Sequence, residues 1–191
     1  REYREWLDAD NVAEAKFTIT GSFDPDDVSA YYRSPVELGW ERSIAFDHDF
    51  VGRDALETEV ENPQRTTVTL VWDPDDIVDV YASMFQEDPH HKYMEIPYQK
   101  YRAIEADSVL KGDAEVGVST GRGYSYYFRE MLSLCTIDRE YSDPGTEVTI
   151  VWGEGGNPDN PRTQQHVPKE ITATVAPAPY KTDRRRSELD D

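Results

Sequence analysis

The chain has 191 residues, 37% of them hydrophobic, which is enough for one or two small packed domains. Its 39 acidic residues against 20 basic give a net charge of -19, and such a surface repels phosphate backbones and anionic lipid, counting against nucleic-acid and membrane partners. Cys135 is the single cysteine, so no intrachain disulfide can form, and no apolar stretch is long enough to span a bilayer; the chain reads as cytoplasmic.

In chain order, "REYREWLDAD" opens without a Met and sets Tyr3, Trp6 and Leu7 on one helical face, which suggests a start inside a longer protein. "EAKFTITGSF" reads as a strand, followed by a turn at Asp24 to Asp27. In "SPVELGW", Ser34 precedes Pro35 and stands three residues before Glu37, the spacing of a capping box, with Gly39 ending the turn. "GRDALETEVEN" then carries Ala55, Leu56 and Val60 at helical spacing up to the stop at Asn62-Pro63. "RTTVTLVW" (65–72) alternates as a strand. "DPDDIVDVYASMF" reads as a helix capped by Asp73, with Ile77, Val80, Tyr81, Met84 and Phe85 as its buried stripe. "QEDPHHKYMEIPYQKY" reads as a polar loop. From Arg102 the pattern is all-β, in "RAIEADSVL", "EVGVSTGRGY", "REMLSLCTID", "TEVTIVW" and "KEITATVAP", with turns at Lys111-Gly112-Asp113 and Asp143-Pro144-Gly145. A long Gly/Asn/Pro hairpin loop spans 153–168, and the tail from 183 to 191 has no apolar anchor.

Few groups invite a chemical reading. Asp47-His48-Asp49 looks like half of a metal site, but extended backbone sends 48 away from 47 and 49. Capping of the next helix by Asp49 explains the acids without a metal. His90-His91 lacks the helical i, i+4 spacing of a zinc helix and reads as surface. "GVSTGRGYSYYF" lacks the Lys-Ser/Thr of a phosphate loop and reads as a hairpin bulged at Gly121 and Gly123, where backbone can approach closely. Its Arg122, Tyr124, Tyr126 and Tyr127 form a set suited to a flat, anionic ligand. Cys135 lies in a strand and reads as an inert buried thiol. No nucleophile, base and orienting group stand at a defensible spacing, so no catalytic residue and no metal ligand is assigned.

Taken in order, "SPVELGWERSIAFDHDFVGRDAL", "GVSTGRGYSYYFREMLSL", "DPGTEVTIVW" and "PAPY" resemble the glycine-cleavage T-protein (aminomethyltransferase) superfamily. "YREWL", "GSF" and "FDHDF" look closest to its tetrahydrofolate-dependent O-demethylase branch, of the vanillate and syringate type. The helix-containing stretch at about 73–100 and the 153–168 hairpin depart from the T-protein pattern. The resemblance implies an α+β chain: residues 1–62 as the C-terminal remnant of folate-binding domains, then a small antiparallel six-stranded β-barrel over 63–182. It implies tetrahydrofolate as cofactor, a small-molecule methyl donor, and N-terminal folate-binding domains of the same protein as partners, with the catalytic residues upstream. Trp40, Arg122, Tyr126 and Tyr180 are the residues expected to line the folate channel, with Arg122 pairing with the glutamyl carboxylate. Two alternatives stay open: a non-catalytic barrel module that binds a partner protein, and a folate-binding relative without transferase activity.

Overall fold

The computed structural model describes residues 19–25, 27–87, 89–98, 104–154 and 164–181. The expected opening helix, the first half of the 14–23 strand and the tail from 183 lie outside these residues.

The strands are β1 (Ile19–Thr20), β2 (Arg65–Trp72), β3 (Ile104–Lys111), β4 (Ala114–Ser125), β5 (Glu130–Asp138), β6 (Glu147–Trp152) and β7 (Lys169–Ala176). Six of them form a closed ring in the order β3-β4-β5-β2-β7-β6, with β6 returning to β3, and every pairing in the ring is antiparallel. The α+β reading and the six-stranded barrel are therefore both present. Period-two alternation builds the core: Val68, Leu70 and Trp72 of β2, Val148, Ile150 and Trp152 of β6, and Ile171, Ala173 and Val175 of β7 all point inward and are buried. Inside, the Trp72 indole donates to Ser133 Oγ at 2.9 Å, as does the Ser119 hydroxyl at 2.8 Å. Cys135 is fully buried among these residues, and burial pushes its thiol up to about 12, so it is inert at neutral pH.

The ring is thinnest where it closes. β3 and β6 share only the pairs Val109↔Ile150 and Leu110↔Thr149. One step on, the Ser22 hydroxyl sits between them, accepting from Ser108 N (2.9 Å) and donating to the Val151 carbonyl (2.6 Å). β1 pairs in parallel with β3 alongside, and Phe23 N donates to Ala106 O. Gly21 makes that approach possible, since a Cβ there would lie 2.1 Å from the Ala106 carbonyl oxygen.

Local signals hold where they were strongest. Ser34 N donates to Glu37 Oε2 (2.9 Å) while Glu37 N donates to Ser34 Oγ (3.0 Å), the two halves of a capping box. This turn lies on the outward face of β2, where Thr67 donates to Glu37 O and Thr69 to Pro177 O. The segment ending in Trp40 and the exit from β7 therefore run along one face. Helix α1 (Arg53–Glu61) follows Gly52, which is its N-cap at φ 90°, with no capping side chain. Asp49 does not cap it, contrary to expectation; its carboxylate stands 3.6 Å from the Arg53 guanidinium instead. Helix α2 (Pro74–Ser83) is capped as expected, with Asp73 accepting from the Asp75 and Asp76 amides. Asp76 ties α2 to β7 through Thr172 N (2.8 Å) and Lys169 (3.0 Å).

Ile77, Val80 and Tyr81 pack on the core, but Phe85 is 89% exposed. The cause is the tightened turn after Ser83: the Met84 and Phe85 amides bond three residues back, to Tyr81 O and Ala82 O, and the 3.6-residue stripe is broken. The stretch read as a polar loop departs furthest from expectation. Met94 is fully buried, Lys92 is buried, and the Tyr81 hydroxyl donates to Met94 O. His91 is half-buried rather than on the surface, bridging to Val167, whose carbonyl lies 3.1 Å from Nδ1. Residues 90–94 thus plug one end of the barrel. Among the described residues, no helix is long and apolar enough to cross a membrane.

Candidate functional site

Two neighbouring features occupy the end of the barrel where β4 leaves it. The first starts from a slip in register. Thr120 pairs with Leu134 and Gly123 with Leu132, so Gly121 and Arg122 both face Ser133. Gly121 supplies the left-handed φ of +63° that this bulge requires. The expected close backbone approach is absent: a Cβ at Gly121 would meet nothing within 4 Å, and one at Gly123 would have Pro97 O at 3.6 Å. The extra residue shifts the alternation, so Arg122 and Tyr124 continue the inward set begun by Ser119.

Arg122 is only 6% exposed and sits in a buried ionic cluster. Its Nη2 lies 3.3 Å from Glu105 Oε2, and Nη1 donates to Glu95 O at 2.8 Å. Lys92 Nζ lies 2.9 Å from Glu154 and 3.5 Å from Glu105 as an ion pair without directed hydrogen bonds. Both cations lie 5.0 Å from the centroid of the buried Trp152 ring. His166 accepts from Glu154 N at Nε2 (2.9 Å), which puts its proton on Nδ1, facing Gln164 O. Among the described residues two cations and two carboxylates balance, and Asp107 lies fully buried beside them. Burial first, then the Glu105 charge, raise its carboxyl from 3.8 to about 8, so it is held protonated at neutral pH and adds no charge to the cluster.

The second feature is an aromatic shelf at the β4–β5 turn. Tyr126 and Tyr127 are 73% and 77% exposed. Edge-to-face contacts fix the rings: Tyr124 with Tyr126 at 5.2 Å, Tyr127 with Phe128 at 4.8 Å, and Phe128 with Tyr180 at 4.9 Å. The Tyr180 hydroxyl donates to Glu130 Oε2 at 2.7 Å, and that bond raises its pKa. Lys181 Nζ stands 5.0 Å over the Tyr127 ring.

Of the residues expected to line a ligand channel, Tyr126 and Tyr180 therefore share one shelf. Arg122 lies within the barrel, its guanidinium engaged by Glu105 and Glu95. Trp40 is 61% exposed, on the segment laid along β2. Asp47 and His48 bond to each other at 2.9 Å on the surface. Among the described residues, no three His, Cys, Asp or Glu side chains gather into a metal-binding group. Sequence reasoning passed over Lys92, Glu105, Asp107, Glu154 and His166. One signal was available: Glu105 and Asp107 take the inward positions of a strand that continues with the apolar Val109, and acids at such positions require buried partners.

No protein-family model matches the chain. Among curated proteins, it is 39% identical over 190 residues to the syringate O-demethylase of Sphingobium sp., an alignment covering 99% of this chain and 41% of that protein. It is 38% identical over 170 residues to the sesamin methylene transferase of Sinomonas sp., covering 84% of this chain and 35% of that protein. The chain thus spans well under half the length of either relative. With its ordered motifs, its six-stranded barrel and this likeness along nearly its whole length, the chain belongs to the O-demethylase branch of the glycine-cleavage T-protein (aminomethyltransferase) superfamily.

Proposed function

We infer that this chain is the barrel-bearing part of a tetrahydrofolate-dependent methyltransferase that moves a one-carbon group from a small-molecule donor, an aryl methyl ether, onto N5 of the cofactor. The likeness to a syringate O-demethylase along 99% of the chain carries this reading. Residues 1–62 would complete folate-binding domains supplied by the same protein, and 63–182 would form the barrel beside them. That the chain matches only 41% and 35% of the two relatives supports this arrangement. The acidic surface and the single buried cysteine fit a cytoplasmic enzyme.

The residues present suit such a cofactor. Exposed tyrosine faces can stack a flat ring, and the cation at Lys181 suits carboxylates. Tetrahydrofolate, when bound, supplies the acceptor nitrogen. The role of this chain is to bind and orient: Tyr126 and Tyr180 line the approach, Glu130 holds the Tyr180 hydroxyl, and Trp40 lies on the neighbouring segment. Arg122, expected beside the glutamyl carboxylate, would serve from within the barrel by fixing the base of the β4–β5 turn. Calorimetry with tetrahydrofolate and the full-length protein tests the reading. Saturable binding, with methyl transfer from syringate or vanillate, is the expected result; no binding at high micromolar ligand overturns it.

A further inference from the structure

We propose that the shelf formed by the β4–β5 turn and the segment after β7 grips the benzoyl-glutamate half of the folate, with Lys181 and Arg129 receiving the glutamate carboxylates. The proposal rests on the folate reading above and names the part of the ligand that this chain would hold.

Three observations carry it. First, the guanidinium that the sequence singles out for a carboxylate is already engaged, since Arg122 is buried with Glu105 and the Glu95 carbonyl. An incoming carboxylate would have to displace a buried partner, which leaves Glu105 uncompensated and is unfavourable. Second, the cation over an exposed ring, and the next cation along the β4–β5 turn, are different residues. Lys181 stands over Tyr127, and Arg129 follows Phe128, the ring against Tyr180. Arg129 is exposed and holds a left-handed φ of +59°, the one described non-glycine residue that does so. Neither cation has an ion-pair partner among the described residues, and the one acid on the shelf, Glu130, is occupied by the Tyr180 hydroxyl. Third, the ring faces are set for stacking. Each contact within the shelf is edge-to-face, at 81° to 88°, which fixes the rings while leaving Tyr126 and Tyr127 largely uncovered. On a chain of net charge -19, a fixed aromatic surface bearing two cations that have no ion-pair partner among the described residues selects a flat ring joined to carboxylates.

The test compares tetrahydrofolate with tetrahydropteroate, the same ring system without glutamate, by calorimetry on the full-length protein and on its Arg129→Gln/Lys181→Gln double variant. Both side chains are exposed, so the fold is retained, which circular dichroism verifies. The expected result is that the double variant weakens tetrahydrofolate about tenfold and leaves tetrahydropteroate unchanged. If the parent binds tetrahydrofolate and the double variant binds it equally well, the shelf assignment falls while the folate reading stands. If both ligands weaken together, the cations do not read the glutamate and the assignment also falls. If the parent binds neither ligand, the folate reading falls and takes the proposal with it.

Discussion

Asp107 gives the stability of the protein a pH dependence of its own. Its carboxyl is fully buried and raised from 3.8 to about 8, so between those values the folded chain binds a proton that the unfolded chain releases. Stability should therefore fall as pH rises through that window, by up to about 1.4 kcal/mol per pH unit from this group. Asp107→Asn is expected to flatten the slope between pH 5 and pH 8 in urea unfolding, with an equal slope in parent and variant refuting the assignment. Lys92 is the cation that reaches the cluster from the plug. Truncation to Ala would remove one buried cation from both Glu154 and Glu105 and should cost roughly 3 to 5 kcal/mol. Lys92→Met, which keeps the packing on Trp152, should cost nearly as much if charge dominates; a loss below about 1 kcal/mol would mean that it does not.

Among the elements, the strands and caps were legible because their signals are local. Alternation in "RTTVTLVW" or "KEITATVA" directly reports which side of a strand faces the barrel interior. Asp73 and the Ser34–Glu37 pair act within three residues of themselves, so spacing alone identifies them. Asp73→Ala should lower stability by about 1 kcal/mol, measurable by chemical denaturation, and a neutral result would deny the cap its role. The plug was not legible, because Met94 and Ile96 stand in a stretch too short and too polar to set a strand or helix period, and Lys92 finds its partners on β3 and beyond β6. Asp49 shows the opposite failure: a good capping residue was available, but the chain placed Gly52 at the helix start. Of the candidate site, the aromatic residue types were readable at Tyr126 and Tyr180. That Arg122 turns inward while Lys181 stands over Tyr127 depends on the bulge and on how the chain leaves β7, which no local pattern encodes.

For the molecule as a whole, the charge of -19 acts as self-repulsion across an acidic surface. Raising sodium chloride from roughly 10 to 500 mM should raise the melting temperature by several degrees, because surface repulsion is screened over about 10 Å or less above 0.1 M salt while buried pairs are screened much less. A melting temperature that falls with salt would show that surface ion pairs, such as Arg53 with Glu57, outweigh the repulsion. The closing seam between β3 and β6 bears on how the protein can be divided. A piece cut to begin at residue 63 would lose Ser22, whose hydroxyl holds Ser108 and Val151 where the two strands part. It would uncover the ends of β3 and β6 beyond their two shared pairs, and strand edges without a partner are the template along which separate chains add to one another. Such a piece should self-associate in sedimentation analysis, whereas one that begins before Gly21 should not.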